Sequence, residues 1–282
     1  MSLTVNKTYK MLVSGAFVRS ESNRTLTALD ASGQFLANFP RASRKDVRDA
    51  VKAARTSWAG WSSKTAYNRG QILYRLAEMI EGKATTLESV LVSGGASSAE
   101  AASEVRGAVD RMLYYAGWAD KYQQLGSSVN PVADRYFNFS LLEPMGVVGL
   151  VTSHGFLNLV SLVAPAIVGG NSCVVLVSEK SALVACEFGE ALATSDLPGG
   201  VVNILTGRPS ETVPHLAKHM DVNLVCASKS EPFAGGLVKD AAENLKRLFF
   251  YDESDWRART CQGLGWIEEF QEVKTVWHPM GL

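Results

Sequence analysis

The 282-residue chain lacks net charge, with 28 Lys and Arg set against 28 Asp and Glu. That balance excludes a general polyanion binder and gives no reason to expect a nucleic-acid partner. Cysteine is scarce: Cys173, Cys186, Cys226 and Cys261 form no CxxC pair, and the first three lie in apolar runs. Free buried thiols in a reducing cytoplasm are expected, rather than a disulfide framework or a zinc site. No apolar stretch reaches 18 residues without a polar interruption, so no membrane span is expected. The opening MSLTVNKTYK has no apolar core of the secretory-signal kind. Two phosphate-cradling patterns are also missing, GxGxxG and GxxxxGK followed by Ser or Thr. A soluble intracellular protein, without membrane or nucleic acid, is the resulting expectation. A chain of this length buries roughly 75% of the surface its unfolded form exposes and needs no covalent staple.

Residues 10–38 alternate weakly and carry the turn formers SGAF, ESNRT and ASGQ, which read as a short hairpin apron. Ser43 and Asp46 stand in capping-box spacing, and Val47, Ala50, Val51, Ala54 and Trp58 then mark one helical face. A second helix carries Ile72, Leu73, Leu76, Ala77 and Ile80 and continues past Gly82. A third spans roughly 99–123, with Val105, Val109, Met112, Leu113 and Trp118 inward. Phe137, Phe139 and Leu141 alternate with Asn138 and Ser140, which predicts a half-buried strand over 135–142, paired with 126–132 as a hairpin and leaving an open edge for another chain to cover. From 146 to 251, VVGLV, CVVLV, VVNIL, VNLVC and RLFFY alternate with helical stretches, the pattern of a parallel sheet covered on both faces. The segment DESDWRARTCQGLG is charged and irregular, and EEFQEVKTVW is β-prone.

This succession resembles the aldehyde dehydrogenase superfamily. The likeness runs from VSGAFVRS and FPRASRKDVRDAVKAARTSWAGWSS through APAIVGGNSCVVL and LPGGVVNILTG to EEFQEVKTVW, which looks like that family's C-terminal strand. The resemblance implies an aldehyde-dehydrogenase-like, Rossmann-type α/β fold: a parallel sheet with helices on both faces, plus a β-hairpin that serves oligomerisation. It divides the chain into an apron and helices of the NAD-binding-like domain (1–123), the oligomerisation hairpin (124–145), the parallel core (146–254), and a linker with the C-terminal oligomerisation strand (255–282).

Several functional positions depart from the family pattern. The turn that reads Thr-Pro-Trp-Asn-Phe-Pro in the family is Thr152, Ser153, His154, Gly155, Phe156, Leu157 here, so Gly155 replaces the asparagine that donates to the oxyanion. Losing such a donor costs about 2.7–4 kcal/mol of transition-state stabilisation. Asn158 stands three residues on and points about 300° further round a helix, too far to take over. Lys-Pro-Ser-Glu, whose charged ends hold the adenosine ribose, aligns with Leu176, Val177, Ser178 and Glu179. The glycine-bracketed helix start aligns with ASKSEPFA, placing Lys229 and Ala234 at the glycines that let a pyrophosphate approach. Tyr251 occupies the general-base glutamate's slot by ungapped counting, and a one-residue slip puts Asp252 there. Between that strand and the terminal one the family inserts a catalytic domain with its nucleophilic cysteine; here about 15 residues intervene, against roughly 100–150 for a typical domain.

Four features have ordinary readings beside functional ones. Cys261, outside any apolar strand or helix, is the sole candidate for a replacement nucleophile, but no His lies within eight residues, and it reads as an inert loop thiol. His215 and His219 sit four apart without a companion ligand and read as a solvated helix face. Ser153 and His154 read as turn residues. Lys229 reads as a solvated lysine before a phosphate anchor.

The expected function is therefore a catalytically inactive family member with no catalytic residues. It acts as a non-catalytic subunit that pairs with itself, most simply as a dimer, or with a complete aldehyde dehydrogenase. An NAD(P)-dependent oxidoreductase acting on aldehydes, and a dinucleotide-binding module without chemistry, are the alternatives. No cofactor or metal is expected. If NAD or NADP still binds, Thr152, Ser178 and Glu179 are what remains to hold it.

Overall fold

The computed structural model describes residues 7–252 and 255–281. The first six residues of the amino-terminal stretch, and Glu253, Ser254 and Leu282, lie outside the described residues, as does one side of the expected boundary at 254.

The chain opens with two hairpins, β1 (Met11–Val13) with β2 (Ala16–Val18), and β3 (Thr25–Leu29) with β4 (Phe35–Pro40). Helices α1 (Arg44–Ser62), α2 (Ala66–Gly82), α3 (Ala84–Ser93), α4 (Ser98–Trp118) and α5 (Tyr122–Gly126) follow. Then come β5 (Ser128–Asn130) and β6 (Tyr136–Pro144). The alternating part comprises β7 (Val147–Thr152), α6 (Phe156–Val168), β8 (Ser172–Val177), α7 (Ala182–Thr194), β9 (Val202–Thr206) and α8 (Pro209–Ala217). It ends with β10 (Leu224–Ser228), α9 (Ala234–Ala242) and β11 (Arg247–Tyr251). Helix α10 (Leu264–Glu268) and strand β12 (Gln271–Pro279) close the chain.

Strands β11-β10-β7-β8-β9 lie parallel, and β1 joins β9 antiparallel with β2 outside it. The apron expected from 10–38 is thus two hairpins, and the first extends the main sheet. Its three-residue strands are too short to show a period. One face of the sheet packs on α1, α8 and α9 through Val47, Val51, Val213, Leu216 and Leu237. The other packs on α6 and α7 through Leu162 and Phe188, and α2 and α4 cover those helices through Leu76 and Met112. Every residue of α6 is buried, which is why its sequence is a continuous apolar run without a polar stripe. After β9 the chain returns to the far side of β7 to lay down β10, so β7 and β10 bound the topological switch point.

The capping box of α1 is present: Ser43 Oγ accepts from the Asp46 amide, and the Asp46 carboxylate accepts from the Ser43 amide. Val47, Ala50, Val51 and Ala54 are buried, but Trp61 rather than Trp58 fills the end of that face. Trp61 Nε1 donates to the Ile167 carbonyl at 2.9 Å, a partner far away in sequence. The helix expected to continue past Gly82 breaks at Lys83, and the one expected over 99–123 ends at Trp118. Leu113, expected inward, is exposed in a groove between α2 and α4.

The hairpin forms where the alternation placed it, but two features are corrected. Asn138 and Ser140 are buried in β6 together with Leu142, and Phe137 is exposed. The polar side chains bond one another across the strands: Asn130 Nδ2 donates to Asn138 Oδ1 at 2.6 Å and to Ser140 Oγ at 2.9 Å, and Ser140 Oγ lies 2.9 Å from Thr275 Oγ1. A hydrogen-bonded polar ladder can face inward, so apolar alternation alone does not tell the two faces apart. Strand β6 is also central, not an edge. The chain's own tail, β12, pairs with it from Gln271↔Pro144 to Pro279↔Tyr136, giving the order β12-β6-β5. Among the described residues no helix is long and apolar enough to cross a membrane.

Replacing Ser43 by Ala removes one half of the α1 capping box. Thermal denaturation should show a loss of about 1 kcal/mol, a Tm lower by about 2–4 °C for a chain of this size.

Candidate functional site

The loops that follow β7, β8, β9 and β10 meet at the switch point and enclose a cleft of about 1000 Å³. Ser153 and His154 come from the first loop, Ser178, Glu179 and Lys180 from the second, Arg208 and Ser210 from the third, and Ser230, Glu231 and Phe233 from the fourth. A cleft outside the carboxyl ends of parallel strands is where open α/β sheets bind ligands.

Main-chain groups of the first loop are already engaged. The Gly155 amide donates to Ser181 Oγ at 3.0 Å, and the Leu157 amide donates to Glu104 Oε2 at 2.8 Å. The Glu104 carboxylate, brought in on α4, thereby takes the place an anion would take at the start of α6, where the helix dipole favours negative charge. Gly155 has φ 86° and ψ 155°, a region open essentially to glycine alone. A Cβ there would also sit 3.1 Å from Glu104 Oε2. The turn is thus rebuilt around glycine.

Thr152 is buried at the end of β7, where its hydroxyl reaches the Leu176 carbonyl at 3.5 Å. Ser178 Oγ donates to the Ser153 carbonyl. Glu179 is exposed and held by Arg208 Nε at 3.0 Å. Ser178 and Glu179 therefore line one cleft, while the Thr152 side chain lies behind it. Leu176 is in the core and offers no donor. Lys229 turns outward onto Asp252 at 3.0 Å, which absorbs the lysine weighed as a phosphate anchor and an aspartate weighed as a base. Tyr251 is buried, and its hydroxyl donates to the Val151 carbonyl at 3.2 Å. Asn158 is buried in α6 away from the turn.

Cys261 is corrected: the irregular segment folds inward, and the thiol is 3% exposed in the 3-10 turn Arg259–Cys261, with Sγ 3.4 Å from the Asp255 carbonyl. Burial pushes the Cys173 and Cys226 thiols well up and the Cys186 thiol up to about 12, so these three are held as neutral thiols. His215 lies in the last turn of α8 and His219 beyond its end at Ala217, so they do not share a helix face. Among the described residues no three His, Cys, Asp or Glu are placed to hold a metal ion. Glu104 and Arg208, the charged groups that shape the cleft, were missed in the sequence. Neither stands near the motif it completes, and no local signal marks them.

The sequence model of the aldehyde dehydrogenase family matches residues 17–250. The chain belongs to that family. It is 30% identical over 243 residues to a D-glyceraldehyde dehydrogenase (NADP(+)) of Thermoplasma acidophilum, covering 85% of this chain and 49% of the relative. It is 33% identical over 221 residues to aldehyde dehydrogenase family 2 member B4, mitochondrial, of Arabidopsis thaliana, covering 76% and 40%. Among solved structures, PnpE from Pseudomonas sp. WBC-3 superposes with a TM-score of 0.83 at 26% identity, covering 88% of this chain and 51% of that one. The NAD-dependent aldehyde dehydrogenase from Sinorhizobium meliloti gives 0.82 at 26%, covering 89% and 51%. The chain spans about half the length of the relatives it matches. The Rossmann-type aldehyde dehydrogenase fold expected from the motifs is therefore the observed one.

Putting asparagine back at Gly155 should not restore the family's turn. Gly155→Asn is expected to cost about 1–3 kcal/mol of stability, because the backbone region is nearly closed to any Cβ. Chemical denaturation of the variant measures this, and an unchanged midpoint would show that the turn can relax.

Proposed function

We propose that this chain is a catalytically inactive aldehyde dehydrogenase family member that works as a subunit, pairing with itself or with a complete aldehyde dehydrogenase. One observation carries the reading: the three-stranded sheet β12-β6-β5 shows large apolar side chains on both faces. Val129 and Phe137 are exposed on one face, and Tyr136, Val273 and Trp277 on the other. Contiguous exposed apolar surface of this kind marks an interaction site. The open edge with length enough to recruit a strand is the nine-residue β12, not β6 as expected from the sequence. Strand addition supplies main-chain hydrogen bonds whatever the partner's side chains.

Chemical inactivity is supported from the site. Covalent aldehyde oxidation needs an activated thiolate beside a bound nicotinamide. All four cysteines are buried, Gly155 brings no side-chain donor to the asparagine's position, and the base position holds a buried tyrosine. The residues present also do not fit a whole dinucleotide. Leu176 supplies no ammonium, Glu231 and Phe233 stand where α9 begins, and two amides at the start of α6, those of Gly155 and Leu157, are taken. Thr152, Ser178 and Glu179 are left as remnants of that site. The four free thiols suit a reducing cytoplasm. One observation favours the second reading, a dinucleotide-binding module without chemistry, namely the open cleft at the switch point.

The purified chain should show no NAD(P)-dependent oxidation across a broad aldehyde panel; turnover abolished by Cys261→Ala would restore the oxidoreductase reading. Calorimetry should find no NAD or NADP binding in the low micromolar range, about −8 kcal/mol; such binding would favour the module reading.

Light scattering should find a dimer or larger for the chain alone. Val273→Lys with Trp277→Lys, which charges the edge strand, should weaken that assembly at least tenfold, about 1.4 kcal/mol. A monomer for the unmodified chain at micromolar concentration sinks the self-pairing proposal.

A further inference from the structure

The family match ends at residue 250, and the chain then runs back across its own body. Residues 255–270 lie over α4, α6 and β11. Trp256 packs between Tyr251 and Trp266 at 5.3 and 5.6 Å between ring centroids, and Phe249 meets Trp266 and Phe270 at 5.5 and 6.1 Å. Cys261, Ile267 and Phe270 are buried with them. This is a continuous aromatic seam made by residues from both sides of the junction.

Arg111 of α4 is 4% exposed and has no carboxylate partner among the described residues. Its guanidinium donates to the Trp256 carbonyl at 2.6 Å, to the Cys261 carbonyl, and to Ser161 Oγ of α6 at 2.8 Å. A buried cation without a counterion is costly unless its donors are used. Conversely, an irregular segment laid on a core buries carbonyls that helix and sheet would otherwise satisfy. The fork of Arg111 resolves both problems at once, so side chain and segment specify each other. At the far end, Asn171 Nδ2 donates to the Phe270 carbonyl at 2.8 Å. At the near end, Arg257 Nε donates to Ser103 Oγ at 3.0 Å, and a terminal nitrogen lies 3.8 Å from Glu104 Oε1. The other oxygen of Glu104 is the one that receives the Leu157 amide.

We propose that residues 255–270 are a built cap, clamped by Arg111 and Asn171, that covers α4, α6 and β11 and, through Arg257, holds Glu104 on the start of α6. The cap closes the surface around the first loop of the cleft and leaves the hairpin sheet exposed. It stands independently of whether that sheet meets a second copy or another protein. It also accounts for the buried position of Cys261, which carries one of the two carbonyls that Arg111 holds.

Hydrogen exchange on the whole chain tests this. The amides of Ala258, Cys261 and Gln262, each bonded inside the segment, and that of Leu157 should be protected in the unmodified protein. Arg111→Met strands two carbonyls, and those cap amides should then exchange about tenfold faster or more, while amides of β8 and β9 keep their protection. Arg257→Ala changes an exposed group and leaves the core packing in place, so it decides the matter if Arg111→Met does not fold. It should speed exchange at Leu157 and Ala258 by a few-fold. Cap amides that exchange at unfolded-chain rates in the unmodified protein, or Arg257→Ala leaving both positions unchanged, would overturn the proposal.

Discussion

Helix α6 is buried over its whole length, and that single constraint organises the molecule. A helix leaves four amides and four carbonyls without intrahelical partners, and in a dry interior water cannot supply them. Other elements must do so. Trp61 of α1 donates to the Ile167 carbonyl, Arg69 of α2 to that of Val168 at 3.0 Å, and Asn171 to that of Ala166 at 3.0 Å. At the opposite end Glu104 of α4 receives the Leu157 amide. The helical layer is tied to the sheet through the two ends of one helix.

The same constraint shapes the cleft. An amide pair at a helix start is a good anion site only while those amides are free. Here two of them, the amides of Gly155 and Leu157, are satisfied internally by a serine hydroxyl and a carboxylate, so stability of the helix and closure of the site are one arrangement. The glycine at 155 follows, because the backbone reaches Ser181 and clears Glu104 in a conformation that excludes side chains. Around the cleft rim the charges pair with one another, Glu179 with Arg208 and Lys229 with Asp252. Such exposed pairs contribute about 0–1 kcal/mol each, so they shape the rim more than they hold the fold.

Much of the fold was legible. Five short apolar runs separated by helical stretches require a doubly covered parallel sheet, since strands buried on both faces cannot alternate. The capping box at Ser43 and Asp46 marked the start of α1 by a purely local signal. Legibility failed where the partner was distant. Trp58 and Trp61 sit nearly equally well on the apolar stripe of α1, and only the Ile167 carbonyl selects Trp61. The hairpin was placed correctly, yet its inward face was misread, because Asn138 Oδ1 and Ser140 Oγ are hydrogen-bonded to Asn130 and Thr275 from neighbouring strands.

By itself the sequence determined which residues alternate, which helices start where, and that the family's asparagine, lysine and glycines are replaced, since all of these depend on neighbours within a few positions. Only the tertiary structure decided that Glu104 closes the turn, that β12 folds onto its own hairpin, and that Cys261 is buried under a segment held by Arg111. Each of these joins groups that lie tens to more than a hundred residues apart. A hydrogen bond made at that separation depends on how the layers stack, and no local spacing records it.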